Sequence, residues 1–312
     1  MTAFAMTFPG QGSQSVGMLS GLAESFGVVR DTFEEASEAL GLDLWSMSQA
    51  GPPEDLNSTR NTQPAMLCAG VAVWRLWNAQ GGPSPRLMAG HSLGEYSAMV
   101  AAGVIEFADA VRLVAERGRL MQQAVPAGVG AMAAILGLSD DQVRDLCDQA
   151  AQGEVAAAVN FNSPGQVVIA GNSAAVARAI DLAKEAGAKR ALPLDVSVPS
   201  HCSLMSGAAE ELYQQMQGIH FNAPSVPVIQ NVNVASSQDV EQIKSLLKEQ
   251  LFSPVRWVET VRAMSADGAD TLIEAGPGKV LSGLCKRIDK QLTALPVFDG
   301  ASLEKALEAV NG

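Results

Sequence analysis

The chain has 312 residues, enough for two units at roughly 150 residues per domain, or for one large α/β domain carrying an insertion. Apolar residues make up 47% and charged residues 17%, which excludes a disordered or fibrous chain. Lys+Arg 21 against Asp+Glu 33 leave a net charge of −12, which argues against a nucleic-acid-binding surface, so a polyanionic ligand needs a local basic patch.

The first charged residue is Glu24 and the first cation Arg30, so the N-terminal stretch lacks the basic start of a signal peptide. The longest later uncharged run, Val155 to Ala177, is broken by Asn160, Asn162, Ser163, Pro164, Gly165 and Gln166, which disqualifies it as a membrane span. A cytoplasmic protein without membrane or nucleic-acid partners is expected. Cys68, Cys147, Cys202 and Cys285 are far apart and form no CxxC pair, so reduced, packed thiols are expected and no metal site.

In chain order, Ala3 to Phe8 reads as a strand running into the turn Pro9-Gly10-Gln11-Gly12-Ser13-Gln14, and a strand ending so delivers groups to the carboxyl edge of a sheet. Asp31 to Leu40 reads as a helix. Pro64 to Ala79 reads as another, opened by its proline and stopped by Gly81-Gly82, with Leu67, Val71 and Trp74 on a core-facing stripe. Arg86 to Gly90 reads as a short strand, followed by a sharp turn at His91-Ser92-Leu93 and a helix through Tyr96 and Val100.

Residues 129 to 198 change rhythm. Strand Gly130 to Leu136, helix Asp140 to Ala151 capped by Ser139, strand Val155 to Phe161, a turn at Asn162-Ser163-Pro164-Gly165, strand Gln166 to Ala170, helix Ala174 to Ala186 and strand Arg190 to Val196 follow one another. That βαββαβ order is the ferredoxin-like motif. Helix Cys202 to Gln217, strand Val226 to Asn231, helices Val240 to Leu251 and Val258 to Ala266, strand Thr271 to Glu274 and helix Leu303 to Val310 complete the chain. The expected architecture is thus an α/β domain over residues 1–128 and 199–312, with a small α+β domain inserted at 129–198.

Gly90-His91-Ser92-Leu93-Gly94 fits G-x-S-x-G, in which a nucleophile sits on a strained strand-to-helix turn and the helix N-terminus supplies free N–H groups. A serine needs a base, and only His91, His201 and His220 are available. His91 adjoins Ser92, so its ring should diverge from the nucleophile and act structurally. His220 lies at a helix exit, where a solvated or capping histidine is the plainer reading. His201 stands where the inserted unit returns to the large domain, a position suited to reach a cleft. No acid stands out as a third member, and a backbone or amide oxygen could orient the imidazole instead. Cys202, adjacent to His201, reads as a packed thiol.

Gly10-x-Gly12-x-x-Ser15 falls short of a dinucleotide fingerprint, and Gly276-Pro277-Gly278-Lys279 lacks the spacing of a phosphate loop. The turn at Gly10-Gln11-Gly12 instead reads as a backbone N–H aimed at an oxyanion, with the Leu93 N–H as the second donor.

Phe8-Pro9-Gly10-Gln11-Gly12-Ser13-Gln14, Gly90-His91-Ser92-Leu93-Gly94-Glu95-Tyr96, Pro199-Ser200-His201-Cys202 and Glu274-Ala275-Gly276-Pro277-Gly278-Lys279-Val280-Leu281 together resemble the malonyl-CoA:acyl carrier protein transacylase family along nearly the whole chain. The resemblance implies an α/β-hydrolase-like large domain with an inserted ferredoxin-like α+β small domain. It implies a ping-pong transfer from malonyl-CoA to the phosphopantetheine thiol of acyl carrier protein, serving fatty acid synthesis. No cofactor is implied; coenzyme A thioester and phosphopantetheine are substrates. It assigns Ser92 as nucleophile, His201 as base and then acid, the Gln11 and Leu93 N–H groups as oxyanion hole, the Gln250 carbonyl as orienter of the imidazole, and Arg117 as the grip on the free carboxylate.

Without the resemblance, Arg117 has no preference over Arg112 or Arg119. Val198-Pro199-Ser200-His201 departs from the tetrapeptides that mark extender preference in modular synthases, so a malonyl extender is inferred from the stand-alone form. Asn160 and Asn162 both lie near a family pocket position. Lys189-Arg190 and Lys286-Arg287 with Lys290 are local cation clusters, suited to an acidic carrier or equally to solvated surface. A serine thioesterase or hydrolase, a polyketide-type acyltransferase and a carrier-binding module are the alternatives.

Overall fold

The computed structural model describes residues 3–126, 128–196 and 198–311, so the outermost ends of the expected large domain, Met1, Thr2 and Gly312, lie outside the described residues. Among the described residues, nine strands form two sheets: β1 (Phe4–Phe8), β2 (Leu87–Gly90), β3 (Gly130–Leu136), β4 (Ala156–Ser163), β5 (Gln166–Asn172), β6 (Arg190–Pro193), β7 (Val228–Ile229), β8 (Thr271–Ala275) and β9 (Thr293–Val297).

The large sheet runs β7-β2-β1-β8-β9, and every neighbouring pair is parallel. Its central strands β1, β2 and β8 are buried along their whole length because both faces are covered. Phe4, Met6, Phe8 and Met88 point into the larger core, with the helices Gly27–Leu40, Thr59–Ala79 and Phe107–Ala124. Ala5, Leu87, Ala89 and Leu272 point into the opposite core, with the helices Trp257–Ala266 and Val280–Ile288. A parallel sheet between helix layers, carrying a serine turn at a strand end, is a hydrolase-like arrangement.

The small sheet runs β4-β5-β3-β6 and is antiparallel throughout. Numbered within the insertion, that order is 2-3-1-4, the ferredoxin-like topology expected from the βαββαβ rhythm. One face packs on the helices Asp140–Ala151 and Ser173–Glu185 through Ile135, Val167, Ile169 and Val143. The other presents Met132, Val159 and Val168 to Cys202 and Leu204, so this sheet roofs the large domain. Backbone bonds Phe161 N–H to Val255 O (3.0 Å) and Val255 N–H to Val159 O (2.8 Å) stitch β4 to the large domain.

Several expected boundaries shift. The helix through Pro64 begins at Thr59, so the proline sits inside it. Pro64 has no N–H to offer the Arg60 carbonyl, and Arg60 is an exposed residue. Asn162 and Ser163 belong to β4 rather than to a turn, leaving a two-residue turn at Pro164-Gly165 with Gly165 at φ 73°. The helix expected from Cys202 starts at Ser206, after a 3₁₀ turn at Ser203–Met205. Strand Val226 to Asn231 contracts to Val228–Ile229, which frees Asn231 for the site. The helix Phe107–Ala124, the helix Val280–Ile288 and β9 were not anticipated as elements.

Candidate active site

β1 and β2 are adjacent and parallel, so the Gln11 turn and the Ser92 turn leave the sheet side by side at its carboxyl edge. Three glycines let them touch. A Cβ on Gly10 would stand 2.4 Å from His91 O, one on Gly90 1.9 Å from Gly94 C, and one on Gly94 2.0 Å from Phe8 O. Only glycine permits backbones so close.

Ser92 is held at φ 53°, ψ −109° as the N-cap of the helix Leu93–Ala101. His201 also has a left-handed φ, 64°. Both residues of the Ser92–His201 pair thus carry backbone strain of the kind that clusters at working sites. Ser92 Oγ lies 2.8 Å from His201 Nε2, and His201 Nδ1 lies 2.7 Å from the main-chain oxygen of Gln250. A carbonyl only accepts, so Nδ1 carries the proton and Nε2 offers its lone pair to the serine. Burial, and then the positive Arg117 nearby, push the His201 pKa down to about 3, which keeps the imidazole neutral.

The Leu93 and Gln11 N–H groups donate to no other group among the described residues. Gln11 Nε2 instead donates to Thr59 Oγ1 at 3.4 Å, tying the turn to the helix Thr59–Ala79. The Glu274 segment supports this turn from below. Glu274 caps the helix Val280–Ile288 through the N–H groups of Leu281 (2.9 Å) and Ser282 (2.7 Å), and a Cβ on Gly276 would stand 2.7 Å from the Pro9 ring. The Gly276-Pro277-Gly278 motif therefore serves as a buttress for the Gln11 turn.

Arg117 is 1% exposed. Nη1 donates to Gln63 Oε1 (2.9 Å), and Nη2 donates to Gln250 Oε1 (3.0 Å) and reaches Ser92 Oγ at 3.4 Å. Its guanidinium carbon sits 5.4 Å from the Tyr96 ring centroid, and its Nε is buried without a partner. Burial lowers its pKa, but the ordinary value is so high that the charge stays. No carboxylate forms an ion pair with it among the described residues, whereas Arg112 and Arg119 pair at the surface with Asp109 and Glu116. Gly118 explains the placement, because a Cβ there would stand 2.7 Å from Thr59 O. The two helices approach closely enough for Arg117 to meet Gln63.

These groups line a cleft of about 790 Å³, mouth included, roofed by Met132, Asn160, Asn162, Val168, Leu194 and Val196 of the small sheet and its exit. His91 does diverge from Ser92: its Nε2 donates to Asn162 Oδ1 at 2.8 Å, and burial pushes its pKa down. Asn160 and Asn162 both face the cleft, and Asn162 has the defined partner. His220 is exposed and bonds Asn222, while Cys202 is buried with its thiol on Pro199 O.

Three residues of the site escaped the sequence reading. Gln63 holds Arg117. Asn231 accepts from the Ser92 N–H (2.8 Å), and Glu95 accepts from the Asn231 N–H (2.8 Å) and Gln250 Nε2 (3.0 Å). Burial raises the Glu95 pKa to about 7, against the lowering effect of those donors. Asn231 lies just past the strand Val228–Ile229 at the carboxyl edge of the sheet, a position that could have flagged it.

Two cation clusters far apart in sequence lie along the same rim of the small sheet, two strands apart. Arg287 Nη1 donates to Gln166 Oε1 (2.7 Å); Gln166 is paired with Leu136, and Leu136 with Arg190. Lys189, Arg190, Lys286, Arg287 and Lys290 are all exposed. Among the described residues no His/Cys/Asp/Glu group could hold a metal, and no helix is long and apolar enough to cross a membrane.

Comparison with known proteins fits this geometry. Residues 6–298 match the acyl transferase domain family. The chain is 57% identical to the malonyl CoA-acyl carrier protein transacylase of Escherichia coli K12 over 308 residues, 99% of this chain and 100% of that protein. The chain belongs to the malonyl-CoA:acyl carrier protein transacylase family. An acyl carrier protein S-malonyltransferase from Vibrio cholerae superposes with a TM-score of 0.96 at 61% identity, covering 98% of this chain and 100% of the other. A malonyl-transacylase in complex with a type II PKS acyl-carrier protein superposes with a TM-score of 0.98 at 57% identity, covering 99% and 100%. Family membership agrees with the hydrolase-like sheet, the serine turn and the ferredoxin-like roof.

Proposed function

We propose that this enzyme transfers the malonyl group of malonyl-CoA to the phosphopantetheine thiol of an acyl carrier protein through an ester on Ser92, supplying the extender unit for fatty acid synthesis. His201 Nε2 takes the Ser92 proton as Oγ attacks the thioester carbon. The tetrahedral oxyanion is met by the Gln11 and Leu93 N–H groups at a helix N-terminus. On collapse the C–S bond breaks, and His201 returns the proton to the leaving coenzyme A thiolate. The phosphopantetheine thiol then enters by the reverse sequence, its proton going to His201 and its sulfur to the acyl carbon. Gln250 replaces a third acid by holding Nδ1–H.

Arg117 is the observation that carries this reading. A buried guanidinium without an acid partner is costly, and it stands 3.4 Å from the nucleophile, where the free carboxylate of a malonyl ester would compensate it. A hydrolase of neutral esters has no use for that charge. Arg117→Ala is expected to cut the malonyl-transfer rate about 100-fold, the scale of a charge-assisted hydrogen bond lost in a dry site, while acetyl transfer holds or rises. Rates with malonyl-CoA and acetyl-CoA check this; a parallel fall in both rates would remove the carboxylate role.

The cation rim of Lys189, Arg190, Lys286 and Arg287 is assigned to the acidic carrier protein. The reaction takes no cofactor beyond its thioester and thiol substrates, engages neither nucleic acid nor membrane, and belongs in the cytoplasm.

A further inference from the structure

We propose that Glu95 is a positioning residue for Ser92, acting through the two amide side chains that grip the serine's own peptide groups; the proposal rests on the serine chemistry described above. One carboxylate oxygen does the work. Oε2 accepts from the Asn231 main-chain N–H (2.8 Å) and from Gln250 Nε2 (3.0 Å). Asn231 Oδ1 in turn accepts from the Ser92 N–H (2.8 Å), and its Nδ2 donates to Gly90 O (2.7 Å). Gln250 Nε2 also donates to Ser92 O (3.0 Å).

Both ends of a serine in a left-handed conformation are thereby tied to side chains that one buried carboxylate anchors. Gln250 extends the same frame, because its Oε1 accepts from Arg117 and its main-chain oxygen from His201. The Glu95 carboxylate reaches nucleophile, base and guanidinium through one intermediate residue each, and it does not line the cleft.

The second oxygen distinguishes this from an ordinary buried ion. Oε1 and both amide atoms of the buried Gln230 beside it lack a well-formed hydrogen bond, although Gln230 stands close enough to act as a donor that lowers the Glu95 pKa. Glutamine at this position keeps an acceptor in the place of Oε2 and offers a donor to Gln230 in the place of Oε1. Glu95→Gln should therefore preserve the frame, whereas Glu95→Ala removes the common anchor and leaves two buried donors unserved.

The test compares Glu95→Ala, Glu95→Gln, Asn231→Ala and the Glu95→Ala/Asn231→Ala pair. Two rates are read: coenzyme A release in a single turnover at saturating malonyl-CoA, and labelling of Ser92 by phenylmethylsulfonyl fluoride. Glu95→Ala is expected to slow both about 100-fold, as a nucleophile shifted off line would, with KM for malonyl-CoA changed less than about threefold. Glu95→Gln is expected to recover most of the loss. The double variant should be little slower than the slower single one, because the residues act as a unit.

Equal losses in the Gln and Ala variants, losses that add in the double, or a change confined to KM would overturn the proposal. Should Glu95→Ala not fold, Asn231→Ala and Glu95→Gln decide alone: a wild-type labelling rate in Asn231→Ala, or a Glu95→Gln as slow as Asn231→Ala, would overturn it. A wild-type enzyme that labels with the sulfonyl fluoride but takes no malonyl group would remove the transacylase reading, and the labelling ratios would still judge Glu95.

Discussion

Arg117 and His201 constrain each other at the scale of single residues. Burial lowers the pKa of the imidazole, and the guanidinium beside it, which suits a carboxylate, lowers it further, to about 3. His201 is then a neutral base at neutral pH. The acid limb of kcat/KM for malonyl-CoA is therefore expected well below the ordinary histidine value of about 6.5. A pH–rate profile checks this, and a limb near 6.5 would show a solvated imidazole. Glu95 behaves oppositely. Its folded pKa of about 7 lies above the ordinary carboxyl value, so its favourable contribution is complete below about 4.5 and is lost as pH rises through about 7. On the order of 3 kcal/mol is at stake across that window. Thermal unfolding of Glu95→Gln should show a correspondingly flatter loss of stability between pH 5 and pH 8, to about that extent.

The decisive elements are short. The turn after β1 and the turn after β2 are welded at Gly10, Gly90 and Gly94, which fixes the two N–H donors relative to Ser92. Gly94→Ala would drive a methyl group into Phe8 O, 2.0 Å from the ideal Cβ. We expect it to cost about 1–3 kcal/mol of stability and to slow acylation at least about tenfold, measurable by thermal melts and single-turnover kinetics. These turns were legible in the sequence because their glycines are local in sequence. So were the ferredoxin-like order and the Ser139 cap, which the structure completes as a capping box with Gln142. Gln63, Glu95 and Asn231 were not. Their bonds to Arg117, Gln250 and Ser92 join residues from distant parts of the chain, and an amide in a helix or at a strand end looks the same whether it faces a cleft or solvent. Arg117 was legible only through resemblance, since its burial depends on the close helix approach at Gly118.

For the whole molecule, the central fact is a small sheet roofing a cleft at the edge of a large parallel sheet. It is joined to the large sheet's domain by the Val255 backbone pairing. The excess of acids, net −12, makes the rim cations at Lys189, Arg190, Lys286 and Arg287 a local exception. Reversing Lys286 and Arg287 to Glu is expected to raise KM for the carrier protein at least about tenfold at low salt and to weaken its salt dependence, with KM for malonyl-CoA changed less. Unchanged carrier kinetics would make the rim ordinary solvated surface.

The most direct test of malonyl transfer is intact-mass spectrometry of the enzyme mixed with malonyl-CoA, followed in buffer alone and after addition of carrier protein bearing phosphopantetheine. The expected result is one malonyl group on Ser92, long-lived in water and discharged quickly to the carrier thiol. An adduct on another residue, or an ester that water removes as fast as the carrier does, would contradict it.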